Sequence, residues 1–158
     1  MTHLLLTKCG ADFEPIVYSS SGSEAVESAM KVALQYWDAR GQRAKRRFIA
    51  GQRSYHGNTL RALSLSGFLE RRSPFEGSLV DVELISAASD YRPIDGLRGA
   101  ALTDALAQEL DARIRAVGPE HVAAFVLSRS LGPRREPCLR LRVTQEPFAL
   151  CVTNTTSF

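Results

Sequence analysis

Apolar residues in this 158-residue chain first fall into a helical rhythm at Val26. Val26, Ala29, Met30, Ala33, Leu34 and Trp37 share one face of an α-helix, which predicts a helix over about Glu24–Asp38 stopped by Gly41. Just upstream, Ile16-Val17-Tyr18 is a short β-type run that enters a serine- and glycine-rich turn. Arg47-Phe48-Ile49-Ala50 predicts a strand, followed by a loop from Gly51 to Gly57 and a helix from Thr59 to Leu65 that ends at Gly67. Residues 68–99 read as loop with one strand-like patch, Leu79–Val82. Leu102, Leu106, Leu110 and Ile114 recur every fourth position, predicting a helix over about Ala101–Val117 with Gly118-Pro119 as its stop. Val122–Val126 is a continuous apolar run of the buried-strand type. Strands alternating with helices in this way imply an α/β layer structure around a mainly parallel sheet.

Composition adds few exclusions. The chain is long enough for one domain with a real core, and its 44% hydrophobic and 23% charged residues are ordinary for a globular protein. No apolar run approaches a membrane span, and the N-terminal Met1–Leu6 has too short an apolar block and no basic start for a signal peptide. Cys9, Cys138 and Cys151 have no metal-like spacing and fit a reduced thiol set, so a cytoplasmic location is expected. His3, His56 and His121 show no ligand spacing either, and no metal is expected. The net charge of +3 sits wholly in the tail: five arginines face two acids between Leu127 and Phe158, and the preceding residues are neutral.

Two stretches carry candidate chemistry. The turn Ser19-Ser20-Ser21-Gly22-Ser23-Glu24 opens the first helix, where small residues let backbone approach an anion and the first N–H groups point at it. Ser21 or Ser23 equally suits a plain helix cap, with Glu24 and Glu27 complementing the dipole. The turn lacks the lysine of a P-loop and the spacing of a dinucleotide fingerprint. Ser54-Tyr55-His56-Gly57-Asn58-Thr59 lies just past a predicted strand, where ligands of α/β sheets gather. Tyr55 offers a flat face to a heteroaromatic ring, and Gly57 lets the chain turn closely. A Tyr-His pair half-buried under the next helix is the plainer alternative.

Read together, Ser20–Glu27, Ala29-Met30-Lys31, Ser54–Thr59, Ala62-Leu63 and Arg72–Phe75 resemble the class III aminotransferases, a branch of the fold type I pyridoxal-phosphate enzymes that includes the omega-transaminases. The resemblance runs from about Ile16 to Val126. It implies a partial large domain of that fold with pyridoxal 5'-phosphate as cofactor. Ser21, Gly22 and Ser23 would hold the cofactor phosphate, Tyr55 would stack on its ring, and His56 would lie beside it. The family moves an amino group from an amine or amino acid to a keto acid or aldehyde, and its intact members are expected to be cytosolic homodimers with small-molecule donor and acceptor as partners. The Schiff-base lysine of the family lies far downstream of these motifs. Here the only lysines are Lys8, Lys31 and Lys45, none in that context, so no catalytic residue is assigned and the chain is expected to be inactive by itself. A non-enzymatic cofactor-binding fragment that associates with a full-length paralogue is the alternative of a different class.

Two units are therefore expected: residues 1–126, a partial aminotransferase large domain, and residues 127–158, an anomalous basic tail. In the tail arginine and proline rise and the apolar rhythm is lost, so irregular or disordered backbone is expected. Shifting permitted codons by one base from Leu127 restores a family-like stretch, including its strand-end glutamate, which suggests a frameshift in preference to a retained intron or a misplaced splice site. The tail has no Arg-Gly repeats and no interleaved aromatics, so neither nucleic acid nor membrane is expected as a partner.

Overall fold

The computed structural model describes residues 17–87, 94–128, 138–143 and 148–153, the last two segments as backbone only. Helix α1 spans Gly22–Ala39 and strand β1 Arg47–Gly51; short helices α2, Leu60–Leu65, and α3, Leu69–Arg72, follow, and then β2, Val82–Ile85. Helix α4, Gly99–Val117, leads into β3, Val122–Ser128, and strands β4, Cys138–Val143, and β5, Phe148–Thr153, complete the order. Brief 3-10 turns occupy Ser73–Phe75 and Ile94–Gly96.

The five strands form one sheet in the order β2-β1-β3-β4-β5. β1 pairs in parallel with both β2 and β3, whereas β4 runs antiparallel to β3 and β5 antiparallel to β4. Alternation along the parallel strands divides the core. Phe48 and Ala50 of β1, Val82 of β2, and Ala124 and Val126 of β3 pack with Val26, Ala29, Met30, Ala33 and Trp37 of α1 and with Ala62 and Leu65 of α2. Ile49, Ile85 and Val122 instead join the half-buried Leu110, Ile114 and Val117 of α4. The apolar stripes thus place α1 and α4 in different clusters with these strands as the middle layer.

Both ends of α1 are fixed. Ser21 is its N-cap: the Oγ accepts from Glu24 N at 3.2 Å, and Glu24 Oε2 accepts from Ser20 N at 2.8 Å. This reciprocal capping starts the helix at Gly22, two residues before the periodicity places it. At the far end, roughly 27 Å away at 1.5 Å per residue, the buried Trp37 Nε1 donates to Ala123 O of β3 at 2.7 Å. Lys45 is buried there as well. Its ammonium lies 4.5 Å from the Trp37 ring centroid and donates to Pro119 O at 2.5 Å, with a longer contact to Val122 O at 3.4 Å. Burial lowers the Lys45 pKa from its ordinary value, and the Glu120 charge partly opposes that shift.

Several expectations need correction. Val17 and Tyr18 are exposed irregular backbone, not a strand, and pair with none of the strands; Ile16 lies outside the described residues. β-type composition becomes a strand only where a neighbour completes its ladder. The second parallel strand is Val82–Ile85, three residues later than Leu79–Val82, because pairing of Phe48 with Val82 and of Gly51 with Ile85 sets the register. Residues 68–75, read as loop, contain α3 and the 3-10 turn that follows it. β3 continues to Ser128, and two segments of the tail, read as irregular, are strands. Cys138-Leu-Arg-Leu-Arg-Val143 does alternate apolar with basic residues, and β3 offers it an edge to pair with. Cys138 and Cys151 face Thr153 and Arg140 across the hairpin and are not register partners; Cys9 lies outside the described residues.

Replacing Trp37 by Phe removes the buried donor to Ala123 O while keeping an aromatic ring. The expected loss is about 1–3 kcal/mol of stability, read as a lower urea midpoint at unchanged slope.

Candidate functional site

The carboxyl ends of β1, β2 and β3 share one edge of the sheet, because the three strands are parallel. In the strand order β1 lies between β2 and β3, and the chain leaving β1 crosses to β2; the carboxyl ends of such parallel strands are where ligands of α/β sheets gather. The loop that follows β1 carries Tyr55, His56 and Gly57 to this edge, and α1 begins here too.

The two sequence motifs meet directly. Ser23 Oγ accepts from Asn58 N at 2.9 Å. Gly57 has φ +138°, and a Cβ built on it would stand 2.7 Å from Ser23 Oγ, 2.9 Å from Ser23 Cα and 2.9 Å from Ala62 Cβ. Only glycine lets the loop press on the first turn of α1 so closely. Ser21 Oγ and Ser23 Oγ accept from Glu24 N and Asn58 N, respectively, which leaves the hydrogen of each hydroxyl to be donated elsewhere. The N–H groups of Gly22 and Ser23 belong to the first helical turn and have no acceptor within the helix. Two backbone donors and two hydroxyls therefore gather at the positive end of α1, an arrangement suited to a phosphate. Ser21 does cap the helix, as the plainer alternative has it.

Tyr55 is 49% exposed, with its ring free to offer a face. The Arg71 guanidinium lies 5.6 Å from the Tyr55 ring centroid and 5.5 Å from that of Phe68, between two aromatic faces at the cation–π range. Nothing in the spacing of the chain ties Arg71 to Tyr55; the contact exists because α3 folds back beside the loop. His56 lies deeper, 3% exposed, with its backbone N donating to Ser66 Oγ at 3.2 Å. Neither ring nitrogen of His56 has a hydrogen-bond partner among the described residues. Burial holds its pKa down to about 4, since the charged imidazolium loses its hydration there. Ser54 Oγ and Gly51 O are hydrogen-bonded, and Gly67 N donates to Ser54 O at 2.9 Å, so the loop is stitched to the end of α2. A Cβ at Gly67 would overlap the backbone of residues 51–53, which makes glycine obligatory for this contact as well.

Comparison with known proteins identifies the frame. The family model for class III aminotransferases matches residues 1–132. The chain belongs to the class III aminotransferases. Among its relatives, an aminotransferase of Gibberella zeae is 48% identical over 117 residues, covering 71% of this chain and 23% of that protein. An uncharacterized aminotransferase of Bacillus subtilis, YodT, is 40% identical over 129 residues, covering 82% of this chain and 29% of its own length. In structure, an amine transaminase from an uncultivated Pseudomonas species, solved in its pyridoxal-phosphate-bound form, superposes with a TM-score of 0.73 at 29% identity, covering 80% of this chain and 29% of that one. The aminotransferase chain thus spans about a quarter of the length of the proteins it matches.

Membership of this family implies pyridoxal phosphate as the cofactor. The residues present fit that group: a small-residue cradle closed by Gly57 suits the phosphate, an exposed ring suits the pyridine, and the buried, unpartnered His56 nitrogens border the loop between them. No cluster of His, Cys, Asp or Glu able to hold a metal ion occurs among the described residues, and no described helix is long and apolar enough to cross a membrane. A cleft of about 620 Å³ lies elsewhere, between Arg43, Arg46, Arg47, Glu83, Arg113 and His121 at the opposite sheet edge. The start of α1 beside the exposed Tyr55, with its small-residue cradle, is the better candidate for the cofactor.

Two outcomes test this geometry. Above pH 6.5 His56 is neutral folded or unfolded. As pH falls toward 4 the unfolded chain takes up the proton first, so stability declines with falling pH, by about 3 kcal/mol from this residue. Urea unfolding between pH 7 and 4 should show that loss, and the His56→Phe variant should show a correspondingly smaller one. Gly57→Ala places a methyl against Ser23 and strains a left-handed backbone; a loss of about 1–3 kcal/mol is expected by the same assay.

Proposed function

We propose that this chain carries the phosphate and ring subsites of a pyridoxal-phosphate aminotransferase and does not complete amino-group transfer by itself. The carrying observation is the contact of the two motifs at Ser23 and Asn58, with Gly57 packed on the start of α1. In this reading Gly22 N and Ser23 N donate to phosphate oxygens, and the Ser21 and Ser23 hydroxyls add donors. Tyr55 lies against the pyridine ring, with His56 beside it. Each helix-end contact with an anion contributes roughly 0.3–1 kcal/mol, and aromatic stacking about 0.5–1.5 kcal/mol beyond buried area. The cofactor, when bound, supplies an electron sink for bonds broken at the substrate amine carbon.

Amino-group transfer also needs a lysine nucleophile and proton carrier beside the ring. The described lysines do not offer one. Lys31 is exposed on α1, and the Lys45 ammonium is bound to Pro119 O and Val122 O at the amino-terminal edge of the sheet, opposite Tyr55. Lys8 lies outside the described residues. This distribution supports binding without turnover. The donor amine, the keto-acid or aldehyde acceptor, the homodimer and the cytoplasmic setting belong to this proposal as properties of the intact relatives.

Titrating the chain with pyridoxal phosphate tests it. Saturable binding is expected, competed by inorganic phosphate and weakened about two- to tenfold by Tyr55→Ala. Borohydride followed by mass spectrometry should leave no stoichiometric lysine adduct. Binding indifferent to both phosphate and Tyr55→Ala would overturn the cofactor assignment, and a stoichiometric adduct would overturn the inactive reading.

We further propose that residues from about Leu127 derive from a shifted reading frame. The basic composition of the tail supports this. Sequencing the gene should reveal a family-like frame overlapping the tail codons; without one the idea fails.

A further inference from the structure

The cleft of about 620 Å³ at the amino-terminal edge of the sheet takes no part in the cofactor reading, and its lining is unusually basic. Arg43 comes from the turn after α1, Arg46 and Arg47 from the start of β1, and Arg113 from the end of α4, with Glu83 of β2 as the one carboxylate in the wall. We infer that this cleft binds a small phosphate-bearing polyanion.

The guanidinium forks are poorly used within the protein. Glu83 is divided between two of them, one oxygen 3.4 Å from Arg47 and the other 3.3 Å from Arg113, so neither gains a bidentate pair. Arg47 Nε is buried with no hydrogen-bond partner among the described residues. Arg46 donates its Nε to Arg43 O at 3.0 Å and pairs with no carboxylate among the described residues. Outside the lining, Asp38 pairs with Arg43 at 2.7 Å and Asp81 with Arg47 at 2.5 Å, with the partners of both pairs substantially exposed. Exposed ion pairs of this kind hold weakly and exchange readily for a better anion. Planar forks converging from three elements match the oxygens of a phosphate group, which can accept two parallel bonds from each.

Two features oppose an anion here. The carboxyl end of α4 directs its dipole at the cleft, worth about half an elementary charge, but Gly118 N already takes Ile114 O at 3.0 Å. His121 faces the cleft with Glu120 3.5 Å from its Nε2. Asp38, Asp81 and Glu83 already offset three of the four guanidinium charges, so a phosphate group binds here by displacing these partly exposed pairs. A ligand with two or more negative charges is favoured over a monoanion, because it must replace Glu83 at two arginines at once.

Amide NMR of the purified chain at low ionic strength, titrated with pyrophosphate, tests this independently of the cofactor proposal. Shifts should appear at Ala44, Ala116 and His121, with a Kd below about 1 mM that rises with added salt. The Arg46→Gln/Arg113→Gln double variant should bind at least about tenfold more weakly. Glu83→Gln should bind more tightly, a gain that misfolding does not produce. No shifts in the wild-type chain, unchanged affinity in the double variant, or weaker binding by Glu83→Gln would overturn the inference. So would equal affinity for succinate, which would make the cleft a general dianion site. Shifts confined to Gly22 and Asn58 would also overturn it, while supporting a phosphate site at the start of α1, so the two readings fail separately.

Discussion

The close packing of Gly57 on Ser23 is the constraint on which the candidate site depends. Where β1 ends, the chain must turn and cross to α2 within eight residues, and it does so by pressing a Cβ-less residue against the first turn of α1. Asn58 N then reaches Ser23 Oγ, and the helix start is bound to the loop that carries the aromatic ring. Any side chain at position 57 would hold these two segments apart. The phosphate cradle and the ring shelf are therefore not independent features: one steric condition sets both, and it places the donors of a helix terminus at the edge where parallel strands end.

That arrangement is rigid because α1 is anchored at both ends. Ser21 and Glu24 cap its beginning, while its last turns are fixed by Trp37 and the buried ammonium of Lys45, which joins the turn after α1 to the start of β3. The same lysine is thereby withdrawn from chemistry at the other edge. The two edges of the sheet consequently differ in character. The carboxyl edge carries small residues, hydroxyls and an exposed tyrosine; the amino edge carries four arginines around a cleft, of which Arg47 and Arg113 share one glutamate.

The β4–β5 hairpin shows how local sequence and tertiary context divide their roles. Its basic, proline-flanked composition argues against regular structure, and the alternation within Cys138–Val143 is too short to outweigh that over the whole tail. What decides the matter is the unpaired side of β3, whose backbone groups are completed by an antiparallel partner. The opposite case is Val17-Tyr18, which has strand composition and joins none of the described strands. In both places the presence of a neighbour, absent from any local pattern, determined the outcome.

By itself the sequence determined the long-period features: the apolar stripe of α1, the stripe of α4, the buried runs of β1 and β3, and the two motifs that resemble a pyridoxal-phosphate site. Periodicity records which face of an element is buried, and it survives without knowledge of what buries it. Only the tertiary structure decided the register of β2, the meeting of Ser23 with Asn58, the placing of Arg71 between Tyr55 and Phe68, and the isolation of the His56 ring. Each of these is a contact between residues distant in the chain or in different elements. Such contacts follow from how layers pack, and packing is settled by the shapes of all the side chains together.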